Sequence, residues 1–301
     1  MEQKANDHRS IWMMVCSMLI FGTIGVFRRF IPLPSAFLAC TRGIIGGLCI
    51  LLLVRLKGKR NTEKPARRDL LILVVSGAMI GANWMLLFEA YNHTTVAIAT
   101  LCYYMAPTIV ILLSPVIFRE RMTAKKAVCA AVAIAGMVLV SGAAGGSGGN
   151  EVSIPGILLG LGAAVLYAFI VILNKKIPGI DAYRKTTVQL LSAGFVMIPY
   201  LLLTGGFDCS GLTPVRGILL LVVGIVHTGV AYVLYFGCMD GLRIQTVAIL
   251  SYIDPVSALL FSALLLREPL SLLNIVGAVL IIGSAIVSEI RKPQDPQSGS
   301  C

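Results

Sequence analysis

A carboxylate, a guanidinium and an imidazole stand in this chain where water is scarce. Asp254 lies about nine residues into an apolar run, roughly 14 Å from its start at 1.5 Å per residue. Arg42 lies seven residues into another, roughly 10 Å deep by the same rise, and His227 sits midway along a third. Charge at such depth is costly and marks a functional candidate. Asp254 is suited to binding a cationic group, to carrying a coupling proton, or to forming a structural pair with Arg42 or His227. The imidazole titrates near neutrality when unperturbed. Asn83, Trp84, Tyr103, Tyr104, Tyr167 and Tyr252 bring rings and polar tips to a similar depth. A cavity lined this way suits a small amphipathic solute, although each side chain could equally serve packing between helices. Pro107 and Pro255 lie mid-run and withdraw the helical partner of the carbonyls on Tyr103 and Ser251. They are the expected hinges, because an unsatisfied carbonyl in lipid must find a donor or face a cavity.

Catalysis is not expected of this inventory. His8, His93 and His227 are scattered, the eight cysteines form no CxxC or metal spacing, and no P-loop is present. A membrane-embedded enzyme would need clustered acids and bases, and a sensor would bring a polar effector domain. No catalytic residue, metal or cofactor is therefore assigned. The expected partners are a small-molecule solute and the lipid bilayer, without nucleic acid, and a homodimer is left open.

The elements that must hold these residues are membrane spans. Of 301 residues, 57% are hydrophobic and 13% charged, about half the charge of a soluble domain. Ten apolar runs approach the roughly 20 residues a span requires: 11–30, 35–56, 69–89, 95–117, 125–142, 155–175, 184–204, 216–237, 245–266 and 272–290. The formal charge of +11 falls in the short segments between runs. That placement is a topology signal and not a nucleic-acid surface. With the N-terminus inside, 20 of the 25 Lys and Arg residues lie in inner segments and four in outer ones, so both termini are expected to be cytoplasmic.

The chain also repeats itself. Shifted by 148 residues, Tyr104 falls on Tyr252, Pro107 on Pro255, Ser114 on Ser262, and the pair Arg119 and Glu120 on Arg267 and Glu268. An offset of 146 aligns the fronts, with Arg29 on Lys175 and Pro32 on Pro178. The expected organisation is a first five-helix unit over 1–142, a Gly-rich linker over 143–154, a second unit over 155–290 and a polar tail over 291–301. Because five is odd, the second unit must cross the membrane in the opposite sense. Inverted repeats are a transporter signature, since two equivalent halves can open a central site to either side. Glu120 and Glu268 read as fittings at the ends of helices, where a carboxylate favours the positive pole of the next helix.

With Tyr104, Pro107 and Glu120 in one half and Tyr252, Asp254, Pro255 and Glu268 in the other, the chain resembles the EamA-type transporters of the drug/metabolite transporter superfamily. Each set precedes a Gly-bearing helix, at Gly136 or Gly283. The resemblance implies an all-α polytopic fold and a multi-pass carrier of the bacterial inner membrane. It also implies alternating access around a central cavity and export of amino acids or related metabolites. A nucleotide-sugar or sugar-phosphate exchanger is the alternative on this architecture. Such anions would want several basic groups in mid-membrane, where Arg42 stands alone.

Overall fold

A computed structural model describes residues 2–56, 66–118, 122–140, 153–177, 180–207, 211–239, 242 and 244–289. All ten expected runs are helical, and no strand occurs among the described residues. Seven helical stretches are long and apolar enough to cross a membrane, and the fifth, ninth and tenth runs are shorter. The Gly-rich linker and Glu120 lie outside the described residues, apart from the linker's last two positions.

The first unit consists of α1 (Glu2–Gly22), α2 (Ile24–Phe30), α3 (Ser35–Leu56), α4 (Arg67–His93), α5 (Val96–Tyr103), α6 (Ala106–Phe118) and α7 (Ala124–Val140). The second consists of α8 (Ile154–Lys175), α9 (Ala182–Thr204), α10 (Pro214–Gly224), α11 (Ala231–Met239), α12 (Ile244–Ser251), α13 (Ile253–Leu265) and α14 (Leu272–Glu289). A wider π-helical turn, Ile225–Val230, joins α10 to α11.

The units run in opposite senses. The first run ends at Phe30 beside Thr94, whereas α8 begins there, with Gly156 against Thr94 and His93. That end of the bundle is the Thr94 end, and the other is the Met239 end. The units are also interleaved: α1 packs on α11, α12 and α13, while its counterpart α8 packs on α4, α5 and α6. Matching pairs, α3 with α9 and α7 with α14, flank this centre.

Lipid supplies no hydrophobic drive between helices, so these contacts rely on close approach. Glycine makes that approach geometric. A Cβ on Gly43 would lie 2.8 Å from the Gly194 amide nitrogen and the Leu190 carbonyl, and one on Gly136 would lie 2.8 Å from the Gly277 carbonyl. The outer surface is correspondingly greasy, with Val116 79% and Leu203 87% exposed. On a water-soluble monomer so much exposed apolar surface would be a liability.

Gly43→Ala should therefore force α3 and α9 apart and cost about 1–3 kcal/mol. Gly283, where an added methyl meets nothing within 4 Å, should accept alanine without loss, because alanine is the better helix former. Thermal unfolding in detergent is the measurement, and equal melting temperatures for the two variants would refute the packing assignment.

Candidate functional site

Pro107 and Pro255 do what their chemistry requires. The fourth run breaks at Tyr104, where the chain tightens through a bond from the Met105 amide to the Cys102 carbonyl (3.1 Å), and the ninth breaks at Tyr252. These positions are repeat equivalents. From the break in the fourth run the Tyr104 hydroxyl donates to the Asp254 carboxylate on the first turn of α13. The expected hinges thus create the contact that joins the two units at mid-depth.

Aromatic rings extend from this contact. Tyr103 meets Tyr104 edge-on at 5.8 Å and Tyr167 of α8 at 5.4 Å. From the other side α11 adds Tyr232, stacked on Phe236 at 5.9 Å, with Tyr235 5.1 Å from Phe236. Tyr167 is 42% exposed although its neighbours come from another run and Asp254 and Tyr235 lie within electrostatic range. Asp254 and Tyr104 are themselves partly exposed.

Arg42 closes the opposite wall. It is 5% exposed, its Nε donates to Thr228 Oγ1 at 2.8 Å, and its guanidinium lies over Trp84 at 4.0 Å. The ring face attracts the cation, so Trp84 serves the site through Arg42. Tyr103 packs against the same cluster of Trp84 and Phe88. A direct ion pair of Arg42 with Asp254, one of the roles open to these residues, is not among the salt bridges of the described residues: they act on each other electrostatically, and each is held by neutral partners.

His227 lies in the π-helical turn beside Thr228. Its Nε2 is 2.9 Å from Thr23 Oγ1, at the break between α1 and α2, and its ring meets Phe27 edge-on at 4.5 Å. With 2% exposure it braces two irregular stretches of backbone.

Two other expected residues are turned away. Asn83, 1% exposed, donates to the Ala163 carbonyl and ties α4 to α8. Tyr252 is buried with Leu101, Met105 and Ile281 in the core between the fourth, ninth and tenth runs. Contacts thus join Arg42 to Trp84, Trp84's cluster to Tyr103, and Tyr103 to Tyr104, Tyr167 and, through Tyr104, Asp254, whereas Asn83, Tyr252 and His227 make their contacts with other partners. Thr23, Thr228, Tyr232 and Tyr235 were not anticipated. The spacing of Tyr232, Tyr235 and Phe236, three and four residues apart on one helical face, was the signal available for the last two.

The Thr94 end is shut by polar groups. Glu268 accepts from the free Val96 amide at the start of α5 (2.8 Å), from Arg29 Nη2 (2.9 Å) and from the Ser262 hydroxyl. Arg29 Nη2 also donates to the Thr94 carbonyl at 2.8 Å. Glu268 is a helix-end fitting as expected, but for the opposite unit's helix. Its own next helix, α14, is capped by Ser271 (3.1 Å to the Asn274 amide). Arg267, at φ 55°, makes the turn that sends Glu268 inward.

Comparison with known proteins places this architecture. The EamA-like transporter family matches twice, over residues 8–142 and 154–289. The uncharacterized transporter YxxF of Bacillus subtilis (strain 168) is 29% identical over 279 residues, 93% of this chain and 89% of that protein. An uncharacterized transporter of Archaeoglobus fulgidus is 27% identical, with 91% and 94% covered. Protein PecM of Dickeya dadantii (strain 3937) is 28% identical, with 88% and 86% covered. A solved crystal structure, 21% identical, superposes with a TM-score of 0.64 over 93% of this chain and 96% of its own, which supports the fold.

If Asn83 serves packing, Asn83→Leu should lower thermal stability by about 1 kcal/mol, the scale of a hydrogen bond between membrane helices. Solute affinity should stay unchanged. An affinity loss at wild-type stability, measured by flux and melting on the same preparation, would return Asn83 to the site.

Proposed function

Because the chain belongs to the EamA-like transporter family, we propose that it is a secondary active carrier working by alternating access around the space between Arg42 and Asp254. Its solutes are small organic metabolites, amino acids or related compounds. It moves them outward across a bacterial inner membrane.

The observation that carries this reading is an inequality between symmetric partners. Under the repeat, α5 corresponds to α12 and α13 to α6. At the Thr94 end α5 packs against α13. The equivalent pair at the Met239 end, α6 and α12, shares no such interface among the described residues. We read the packed end as closed and its symmetry mate, part of which lies outside the described residues, as open, with the contact between Tyr104 and Asp254 at the boundary. Two equivalent halves that exchange these arrangements would expose the same space to the other side. Positive-inside topology makes the open end cytoplasmic, the state in which an exporter loads.

Each part then has a task. The breaks at Tyr104 and Tyr252 let half-helices tilt without unfolding whole spans. The aromatic wall accommodates an apolar body, and Asp254 presents the acceptor of a cationic group or proton. Glu268 holds the far end shut by satisfying an amide that would otherwise be orphaned at a helix start.

In proteoliposomes, Asp254→Asn should abolish solute flux while insertion and melting remain near wild type, and normal transport by that variant would remove Asp254 from the site. The latch can be tested separately. In a cysteine-free background carrying Tyr167→Cys, at a position 42% exposed, an impermeant thiol reagent should label from the Met239 side. Adding Glu268→Gln should raise labelling from the Thr94 side several-fold. Labelling that stays one-sided would show that Glu268 does not hold the closed end.

A further inference from the structure

Two buried hydrogen bonds between the units are copies of one another. The Ser17 hydroxyl donates to the Ala231 carbonyl at 2.8 Å, and the Asn83 amide donates to the Ala163 carbonyl. The offset of 146 that sets Pro32 on Pro178 also sets Ser17 on Ala163. The third run meets the eighth at an offset of 148, with Val74 on Val222, Gly81 on Gly229 and Phe88 on Phe236. Asn83 then falls on Ala231. The bond between the first and eighth runs and the bond between the sixth and third therefore join equivalent positions. Ser17, Asn83, Ala163 and Ala231 are each no more than 1% exposed.

Neighbouring contacts repeat as well. Gly160 of α8 lies against Cys102 of α5, where an added Cβ would be 2.8 Å from the Cys102 Cβ. The equivalent positions, Met14 of α1 and Leu250 of α12, pack in one cluster. Exchange of the two units' arrangements moves each contact to its equivalent position. A contact already made at both positions is then present in both states, whereas a contact made at one position is lost. The bond from Tyr104 to Asp254 is of the second kind, because the equivalent of Asp254 is Ala106.

Resting on the carrier reading above, we propose that Ser17 and Asn83 are positioning residues for the conformational change, rivets that hold in both states. Each joins a run of one unit to a run of the other. The bodies that move are therefore mixed, the first run with the eighth and the third with the sixth, and the repeats do not travel as blocks. A buried bond suits that duty, because hydrocarbon offers no water to replace it if it broke at each passage. The rivets stabilise the fold without favouring a state, since an interaction equal in two states shifts no population between them.

The test needs no solute. Full-length cysteine-free protein carrying Tyr167→Cys is labelled in proteoliposomes with an impermeant thiol reagent from each side. Ser17→Ala and Asn83→Leu should lower the melting temperature yet keep the ratio of labelling from the two sides within about twofold of the parent. Tyr104→Phe, which removes a contact made at one position, should change that ratio several-fold. Proximity supplies a second measurement that does not depend on those variants folding. With Ser17→Cys and Ala231→Cys in the cysteine-free protein, a short bifunctional thiol reagent should link the pair equally with Glu268 and with Glu268→Gln. Val96→Cys and Ser262→Cys, at positions that both bond Glu268, should be linked several-fold less once Glu268→Gln is added. A labelling ratio moved several-fold by Ser17→Ala or Asn83→Leu would overturn the proposal, as would linkage of positions 17 and 231 that follows the change at Glu268. If neither Tyr104→Phe nor Glu268→Gln alters labelling or linkage anywhere, there is no second state, and the carrier reading falls with the rivets.

Discussion

The whole arrangement depends on one constraint: a backbone carbonyl in hydrocarbon must have a partner or face a polar space. Pro107 and Pro255 violate the helical pattern at matching places, and the protein answers both by breaking the helix one turn earlier, at Tyr104 and Tyr252. Because the breaks lie at mid-depth and in opposite senses, they set half-helices end to end around a common centre. Elsewhere along the spans buried polar side chains are held by individual hydrogen bonds, as Asn83 is by the Ala163 carbonyl and Gln189 by Ser76. Asp254 sits one residue before its proline and on the first turn of α13, where the helix start favours an acidic group.

A second consequence is that the centre cannot be symmetric at any moment. Tyr104 and Tyr252 occupy equivalent positions, yet one donates to Asp254 and the other is buried among Leu101, Met105 and Ile281. The difference follows from which pair of half-helices is closed. Packing α5 onto α13 also brings Glu268 to the Val96 amide and Arg29, so the contact between these half-helices and the satisfaction of a helix terminus come together. The ion pair itself is partly exposed and of the kind that contributes little alone. Its value lies in capping an amide that would be orphaned if the end opened without water.

Much of this was legible in the residues. Ten runs, the repeat and the two breaks were all visible, because polar residues and prolines are rare enough in so apolar a chain to carry register. What was not legible was direction. Asn83 and Tyr103 have similar depth, but a helix that is apolar nearly all round does not reveal which side faces a neighbour, so Asn83 could not be told from a cavity residue. The partner of Glu268 depends on which helix start lies opposite in space, and that is set by the interleaving of the units. The break at Thr23 and the π-helical turn at Ile225–Val230 have no proline to announce them. They are braced against each other by Thr23 with His227, a contact between distant residues that has no one-dimensional trace, while Thr228 bonds the Val223 carbonyl within its own stretch.

The backbone repeats, but the charges do not. Asp254 falls on Ala106 in the first unit, and Arg42 falls on Val188 in the second, so each unit contributes one pole. A symmetric pair of acids would leave the empty centre with two like charges in a poor dielectric. A direct pair of Arg42 with Asp254 would neutralise the site and leave nothing for a solute to gain. Holding the poles apart by Thr228, Trp84 and Tyr104 avoids both. Under the carrier reading, water around these charges must be expelled as one end closes before the other opens. A solute or proton that compensates those charges lowers the cost of that passage, so under the carrier reading the loaded protein is the one that crosses readily. On that reading, coupling between cargo and conformational change comes from the electrostatics of Arg42 and Asp254 themselves.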